Sequence, residues 1–530
     1  MRLAAPAAPA GAAAPGRRGT PRGVGRGGAR RGAAGARRAA AAAGSAGYEV
    51  VVGVETHVQL ATATKAFCGC RVAYGKDPNR DVCPVCLSHP GALPVLNREV
   101  VDRAVSLCLG LNLGLNKASK FDRKQYFYPD LPKGYQISQH DVPIGEHGWL
   151  EIALDGGAVE KRLGITRAHI EEDTGKLNHV GAAALAGSAY SLADYNRAGT
   201  ALIEVVSEPE MRSGVEAAEY AAELQRVVRY LGVGNANMEE GSLRCDINVS
   251  VRRKGDEALG TKVEVKNMNS FSAMQKAVDY EFERQVKLLE EGKGAEIVQE
   301  TRLWDEDKRR TLTMRKKEGA ADYRYFPEPD LPPLVLEDAD VVRIRAALPE
   351  VPRDIRRRLE ELGLKKADVL VLADNKEVAG FFDAAVARGA NPQEAANWII
   401  GDITAHLKAT NAKISDIKLS PASLAEMVAL IGDGTISGKI GKQILPELLE
   451  QGGSAKELVE AKGLVQISDE GAIEEIVRGV MAANPKQLEQ YRGGKTKLRG
   501  FFVGQIMQES GGRVNPALLN QLIGPILESD

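Results

Sequence analysis

Arg244-Cys-Asp-Ile-Asn-Val-Ser-Val-Arg252 decides the fold class. Cys245, Ile247, Val249 and Val251 alternate with Arg244, Asp246, Asn248, Ser250 and Arg252. Successive side chains of a strand point to opposite faces, so a period of two makes this a half-buried strand with a polar face. Lys262-Val-Glu-Val-Lys266 repeats the pattern. Tyr48-Glu-Val-Val-Val-Gly-Val-Glu-Thr-His-Val-Gln-Leu60 reads as a further strand, with Glu55, His57 and Gln59 on one face and Val54, Val58 and Leu60 on the other. A long helix is expected from about Phe271 to Glu291, started by Asn269/Ser270 and stopped at Gly292. Strands with charged faces beside helices indicate an α+β domain whose antiparallel sheet leaves one face open for a site.

Working outward, this pattern holds from Tyr48 to about Leu336, where Pro327, Pro329, Pro332 and Pro333 break it. After about Pro352 the periodicity is helical. Ser420-Pro421 supplies an N-cap followed by Pro at the first helical position, and Gly432 follows the last periodic residue, Ile431. The expected organisation is a leader over 1–47, an α+β domain over 48–337, an all-α domain over 338–460 and an all-α tail domain over 461–530.

The leader is set apart by charge. The 530 residues contain 70 Lys+Arg and 71 Asp+Glu, a net charge of −1. Residues 1–47 hold nine Arg and no acidic residue, so the remainder has 61 basic against 71 acidic residues, a balance of −10. A leader of 18 Ala, 11 Gly and nine Arg has the composition of an organelle transit peptide, although Ser45 is its only Ser. The competing reading is a basic arm that stays on and touches nucleic acid. Mitochondrion and chloroplast stroma are not separated by composition. No run approaches the roughly 18 apolar residues of a membrane span, and six Cys in this length are too few for a disulfide scaffold.

Four of those cysteines fall in two pairs, Cys68-Gly-Cys70 and Cys83-Pro-Val-Cys86. Four thiolates on two short turns can close a tetrahedron around Zn²⁺ and leave no position for water, which favours a structural role. Buried free thiols, or a redox disulfide of the C-x-x-C pair, are the alternatives. Cys108 and Cys245 lie in apolar patterns and read as core.

No Walker A sequence, no G-x-G-x-x-G after a strand and no G-x-S-x-G elbow occurs, so any chemistry must come from carboxylates, His and metal. Such groups gather in Glu55/His57, in His169-Ile-Glu-Glu-Asp-Thr-Gly-Lys176, in Asp194-Tyr-Asn-Arg-Ala-Gly-Thr-Ala-Leu-Ile-Glu204 and in Glu239-Glu-Gly-Ser-Leu-Arg-Cys-Asp246. Carboxylates and a His on neighbouring strands suit Mg²⁺ and the phosphates of ATP. Arg197, Arg244, Lys262 and Lys266 are placed to neutralise a transferring phosphoryl group. The bland alternative is a solvated acidic strand face with a structural His.

These strings, with Gly53-Val-Glu-Thr-His-Val-Gln-Leu60, Ser119–Asp130, Lys133–Gln139 and Asp322-Tyr-Arg-Tyr-Phe-Pro-Glu-Pro-Asp330, resemble the B subunits of glutamyl-tRNA(Gln)/aspartyl-tRNA(Asn) amidotransferases from Tyr48 to the C-terminus. Ala201 departs from the Pro usual after Gly-Thr, a change in a turn and not in a chemical group. The resemblance implies a glutamine-synthetase-like cradle domain, a helical domain and a tail domain. It also implies a heterotrimer with an amidase A subunit, which releases ammonia into a channel, and a small C subunit. The B subunit of such an enzyme phosphorylates the γ-carboxylate of Glu-tRNA(Gln) with ATP, and ammonia displaces the phosphate. Carried over by motif, Glu55, His57, Glu172 and Glu204 are the expected Mg²⁺ ligands and catalytic groups, with Arg197 beside them. Glu171, Asp173, Asp194, Asn196 and Lys266 are expected to contact substrate, nucleotide or channel. Some family members hold zinc at positions corresponding to Cys68, Cys70, Cys83 and Cys86.

A tRNA partner needs local positive surface, not net charge. Lys486, Arg492, Lys495, Lys497 and Arg499 form such a patch with only Glu489 opposing it, and the resemblance assigns it to tRNA; a solvated helix face is the alternative. Phe501 and Phe502 have helical spacing and read as core. Two other functions stay open on sequence alone. One is a glutamine-synthetase-like ligase for a small carboxylate, for which a tail domain has no purpose. The other is a tRNA-binding scaffold without kinase activity, against which intact Glu55, His57, Glu172 and Glu204 argue.

Overall fold

The computed structural model describes residues 47–181, 187–316 and 323–529; all of the 1–47 leader but Gly47, and Asp322, lie outside them. Among the described residues sixteen strands occur in chain order. They are β1 (Tyr48–Gln59), β2 (Gly114–Leu115), β3 (Ala118–Ser119), β4 (Asp122–Gln125), β5 (Tyr135–Ser138), β6 (Gly145–Leu154), β7 (Val159–Glu172) and β8 (Lys176–Val180). There follow β9 (Tyr190–Asp194), β10 (Ala201–Ser207), β11 (Leu243–Arg253), β12 (Val263–Lys266), β13 (Glu300–Asp305), β14 (Arg310–Lys316), β15 (Phe326–Pro327) and β16 (Leu334–Val335). Nine of them form one sheet in the order β14-β13-β12-β11-β1-β10-β7-β6-β2.

The quoted strand is β11, and its alternation is the observed one: Cys245, Ile247, Val249 and Val251 are buried. It pairs antiparallel with β1, Ile247 opposite Val54 and Asp246 opposite Glu55. The sheet is mixed, not antiparallel throughout: β12 and β13 run parallel. A helix, α3 (Phe271–Glu290, after α1, Arg98–Gly110, and α2, Gly214–Leu231), separates them in sequence and provides the crossover a parallel pair needs. Helix α3 starts where Ser270 Oγ accepts the Ala273 N–H at 3.1 Å, and Gly292 follows its end at φ +71°.

Val50, Val52, Val54 and Val58 of β1 share a core with Ala104, Val105 and Leu107 of α1, Tyr220, Leu224 and Val228 of α2 and Met274 and Val278 of α3. Helices therefore cover that face of the sheet, and Glu55, His57 and Gln59 project from the other. A second core runs from Ile355 to Val459 and also takes in Tyr230 from α2; a third runs from Ile473 to Leu527. Both are built mainly from helices, among them Pro421–Gly432, capped by Ser420 Oγ on the Ser423 N–H at 3.0 Å, with Val514 of the third core in an isolated parallel bridge to Ile467. The helix Asp338–Ala347 precedes them and sends Ile344 into the first core.

Candidate functional site

Strand register builds the site. Glu204 of β10 lies directly between His57 of β1 and His169 of β7, and Arg244 of β11 stands opposite His57 on the far side. Directly opposed residues share a face, so one row of charged groups crosses four strands. Glu171 joins it, two residues along β7 from His169. His57 Nε2 is 3.2 Å from Glu204 Oε2 and 3.9 Å from Glu171 Oε2; His169 Nε2 is 3.1 Å from Glu171 Oε1 and 3.4 Å from Glu204 Oε2. Ligand atoms of His57, Glu171 and Glu204 all lie within 4.8 Å of one another. Glu55, Asp246 and Glu264 form a second such group on the same face, with Asn248 donating to Glu55 at 2.8 Å and Lys266 2.5 Å from Asp246 and 3.1 Å from Glu264.

The electrostatics follow from burial against pairing. Burial disfavours a charged His169, but the Glu204 charge and the Glu171 hydrogen bond push it up to about 9. His57 is raised in the same way, against burial, chiefly by Glu204. Burial disfavours ionised Glu204, yet the His169 charge and the hydrogen bonds of both imidazoles hold it well below the usual carboxylate range. Lys124 of β4 completes the enclosure: against burial, the Glu171 and Glu204 charges raise it, and its ammonium sits 5.1 Å from the Tyr323 ring centroid. Gln136 and Ser138 of β5 donate to Glu171 at 3.0 Å each.

The expected residues divide. His57 and Glu204 come together, and Glu171 stands with them instead of Glu172. Alternation turns Glu172 to the other face with Ile170, where it accepts from the Ile137 N–H at 2.9 Å and meets Lys133 Nζ at 2.6 Å. Glu55 belongs to the second group. Asp173 is buried and held by Gln59 (2.8 Å), Arg244 (3.0 Å) and Arg197 (3.6 Å). Arg197 spends its other donors on the Thr174 and Gly175 carbonyls, at 3.0 and 2.7 Å. Asp194 and Asn196 hold the chain between the cysteine pairs. Asn196 Oδ1 accepts from the Arg80 and Asp81 N–H groups at 2.8 and 2.9 Å, and Asp194 accepts from Asn79 at 3.2 Å. Sequence reasoning quoted His169, Gln59 and Asp246 within the acidic strings without giving them individual roles, and passed over Lys124 and Glu264. His169 was legible, since i, i+2 spacing puts it on one face with Glu171; Lys124 was not, because it arrives from another sheet.

Cys68, Cys70, Cys83 and Cys86 converge, with all four sulfurs within 4.8 Å of one another. Four sulfurs at this spacing, with no fifth donor grouped with them among the described residues, fit a closed tetrahedral Zn²⁺ site. A hydrogen bond from Cys68 lowers the Cys86 thiol to about 4, helped against burial by the Cys83 N–H at 3.1 Å and by Lys65. Cys108 and Cys245 are buried, and burial pushes both thiols up to about 12.

In the tail, Lys486, Lys495, Lys497 and Arg499 are exposed around the turn that links Pro485–Arg492 to Arg499–Glu509, while Phe502 is fully buried. Arg492 donates to the Leu527 carbonyl at 3.0 Å and to that of Ser529, and Arg499 donates to the Asn520 carbonyl at 2.5 Å. No helix among the described residues is long and apolar enough to cross a membrane.

Comparison with known proteins gives a consistent set. A family model described as the GatB/GatE catalytic domain matches residues 50–342, and one described as the GatB domain matches 380–527. A relative in the moss Physcomitrium patens, named as the chloroplastic/mitochondrial B subunit of glutamyl-tRNA(Gln) amidotransferase, is 61% identical over 478 residues, covering 90% of this chain and 85% of the relative. The protein of the same name in Oryza sativa subsp. japonica is 59% identical over 486 residues, 91% of this chain and 88% of its own. A cyanobacterial relative from Picosynechococcus, named as the B subunit of aspartyl/glutamyl-tRNA(Asn/Gln) amidotransferase, is 58% identical over 482 residues, 90% of this chain and 97% of its own.

Proposed function

The chain belongs to the GatB family of tRNA-dependent amidotransferase B subunits, and from that premise we propose that it converts Glu-tRNA(Gln) to Gln-tRNA(Gln) in an organelle. The reaction is a ligase-type amidation. ATP phosphorylates the γ-carboxylate of the glutamyl group, and ammonia displaces the phosphate. A free carboxylate is a poor acyl donor because its leaving group would be oxide; phosphorylation supplies a good one.

The observation that carries this reading is the helix-free sheet face bearing His57–Glu171–Glu204, enclosed by β4 and β5, beside Glu55–Asp246–Glu264. Two donor sets of carboxylates, one with an imidazole, suit hard divalent cations and the phosphates they accompany. Glu171, Glu204 and His57 would hold one Mg²⁺, and Glu55, Asp246 and Glu264 another beside ATP; bound there, the metal neutralises phosphate charge. Lys124, Arg244 and Lys266 would offset the charge that develops on the transferring group. His169 and Gln136 orient Glu171, and Asp173 keeps Gln59 and Arg244 in place. We read the sheet as the glutamine-synthetase-like cradle, and the four cysteines as a structural zinc clip. Partner subunits follow from the same premise: an amidase A subunit to deliver ammonia and a small C subunit. The names of the moss and rice relatives and the acid-free leader support a mitochondrial or plastid address.

The test is reconstitution of the mature chain with A and C subunits, following ATP- and glutamine-dependent formation of Gln-tRNA(Gln). The Glu55→Ala/His57→Ala double variant is expected to lose turnover while still binding Glu-tRNA(Gln). Normal turnover by that variant would reject the metal-dependent site.

A further inference from the structure

Lys65 is fully buried, and its ammonium has three neighbours. It donates to the backbone carbonyls of Asp81 at 2.8 Å and Tyr195 at 3.3 Å, and it lies 3.5 Å from Cys86 Sγ. Among the described residues no carboxylate forms an ion pair with it. Carbonyl dipoles alone do not offset the cost of taking a charge out of water; a counter-charge is needed. Of the three neighbours only the Cys86 sulfur can be an anion, and that sulfur belongs to the four-cysteine cluster. Four thiolates around one divalent cation keep a residual double negative charge, so cluster and lysine each supply what the other lacks.

The same residue stands at a mechanical junction. The Ala66 N–H next to it donates to the Gly199 carbonyl at 2.9 Å, and the Gly199 N–H donates to the Asp173 carbonyl at 2.8 Å. The Asp173 N–H in turn donates to the Thr200 carbonyl at 2.8 Å. Lys65 grips the start of this 195–200 turn at Tyr195. A path of hydrogen bonds joined by short stretches of backbone thus runs from a cluster sulfur to the residue whose carboxylate holds Gln59 and Arg244 on the acidic face.

We propose that Lys65 is the positioning cation of the four-cysteine centre: its ammonium balances the Cys86 thiolate and, through Tyr195, ties the centre to the turn whose Gly199 and Thr200 hydrogen-bond the Asp173 backbone. The inference rests on the zinc reading, and the experiment separates the two. Zinc per chain and zinc affinity, by competition with a chromophoric chelator, are measured on full-length wild type and Lys65→Met. Wild type is expected to hold about one zinc, and the variant to bind it about 10- to 100-fold more weakly, as for lost outer-sphere partners. In the Co²⁺-substituted variant the thiolate-to-metal charge-transfer band is expected at longer wavelength, because Cys86 loses an electron-withdrawing neighbour; a role in packing alone would not move it. Wild type without zinc would overturn both readings. Normal zinc in wild type with unchanged affinity and spectrum in Lys65→Met would overturn this one alone. Should the variant not fold, reductive methylation of wild type decides: Lys65 is expected to label at least tenfold faster after zinc is chelated. Equal labelling with and without zinc would overturn the proposal.

Discussion

His169 and Glu204 show how much a single position is set by its cross-strand neighbour. Both imidazoles are shifted toward their protonated forms by the carboxylates beside them, against burial. The sign of the pH dependence follows. His169 is raised from an ordinary value of 6.5 to about 9, so its pairing stabilises the fold fully below about pH 6.5 and is lost as pH climbs towards 9. Glu204 is depressed, so its share is present above the ordinary carboxylate range and fades only as pH falls through its lowered value. Urea unfolding of the metal-free protein is therefore expected to lose on the order of 3 kcal/mol between pH 6.5 and 9, and His169→Gln to flatten that slope. An equally steep slope in the variant would place the titration elsewhere. The Glu171/Glu172 pair gives a second residue-scale expectation. Under the proposed metal role, Glu171→Gln should weaken Mg²⁺ dependence and lower kcat at least about tenfold, the lower bound for losing even an outer-sphere partner. Glu172→Gln, whose carboxylate faces Lys133 and the Ile137 N–H, should leave the Mg²⁺ titration midpoint in place. Titrating Mg²⁺ in the reconstituted assay distinguishes them; a shifted midpoint in Glu172→Gln would return that residue to the metal.

Elements were legible where their signal is local. The period-two run of β11, the valine face of β1 and the Ser270 and Ser420 caps are each set within a few residues, and the structure has them where the spacing puts them. Partnership was not legible. Alternation states which face a residue takes but not which strand lies beside it, so the parallel β12–β13 contact and the mating of Glu55 with Asp246 and Glu264 needed the fold. The cluster of Asp194 and Asn196 has the same explanation. Their polar atoms looked like substrate contacts, yet they bind a loop more than a hundred residues earlier. Asn196→Ala removes the acceptor of two N–H groups and the donor to the Asp77 carbonyl at 2.7 Å. Water can replace the lost partners in this exposed loop, so each bond contributes only its net worth of about 0.5–1.5 kcal/mol, lost locally. Limited proteolysis is expected to cut the variant between Asp77 and Asp81 several-fold faster than wild type. An unchanged cleavage rate would show the loop to be held from elsewhere.

At the scale of the molecule the charge balance acquires a layout. Acidic groups sit on the helix-free sheet face, basic ones around the turn at 493–498, and ion pairs join the first core to the second. Glu223 of α2 meets Arg356 at 2.6 Å across that junction, and Arg226 meets Asp374 at 2.8 Å. The basic patch is not uniform. Arg492 and Arg499 spend donors on carbonyls of the final helix and the residues after it, so removing either would confuse binding with stability. Lys495 reaches only the Gln490 side chain, at 3.2 Å, and Lys497, like Lys486, is exposed, so these lysines are not committed to main-chain carbonyls as the two arginines are. Each phosphate contact contributes about 0.7–0.9 to the slope of log affinity against log salt. Lys495→Ala/Lys497→Ala is therefore expected to raise KM for Glu-tRNA(Gln) about tenfold near physiological salt and to flatten the salt slope by about 1–2. Its kcat at saturating tRNA should stay that of wild type, because the patch lies in the third core's helices and the proposed metal-binding face on the first core's sheet. An unchanged KM would return the patch to a solvated helix face, and a fall in kcat alone would mean that the tail acts on the chemistry and not on tRNA capture.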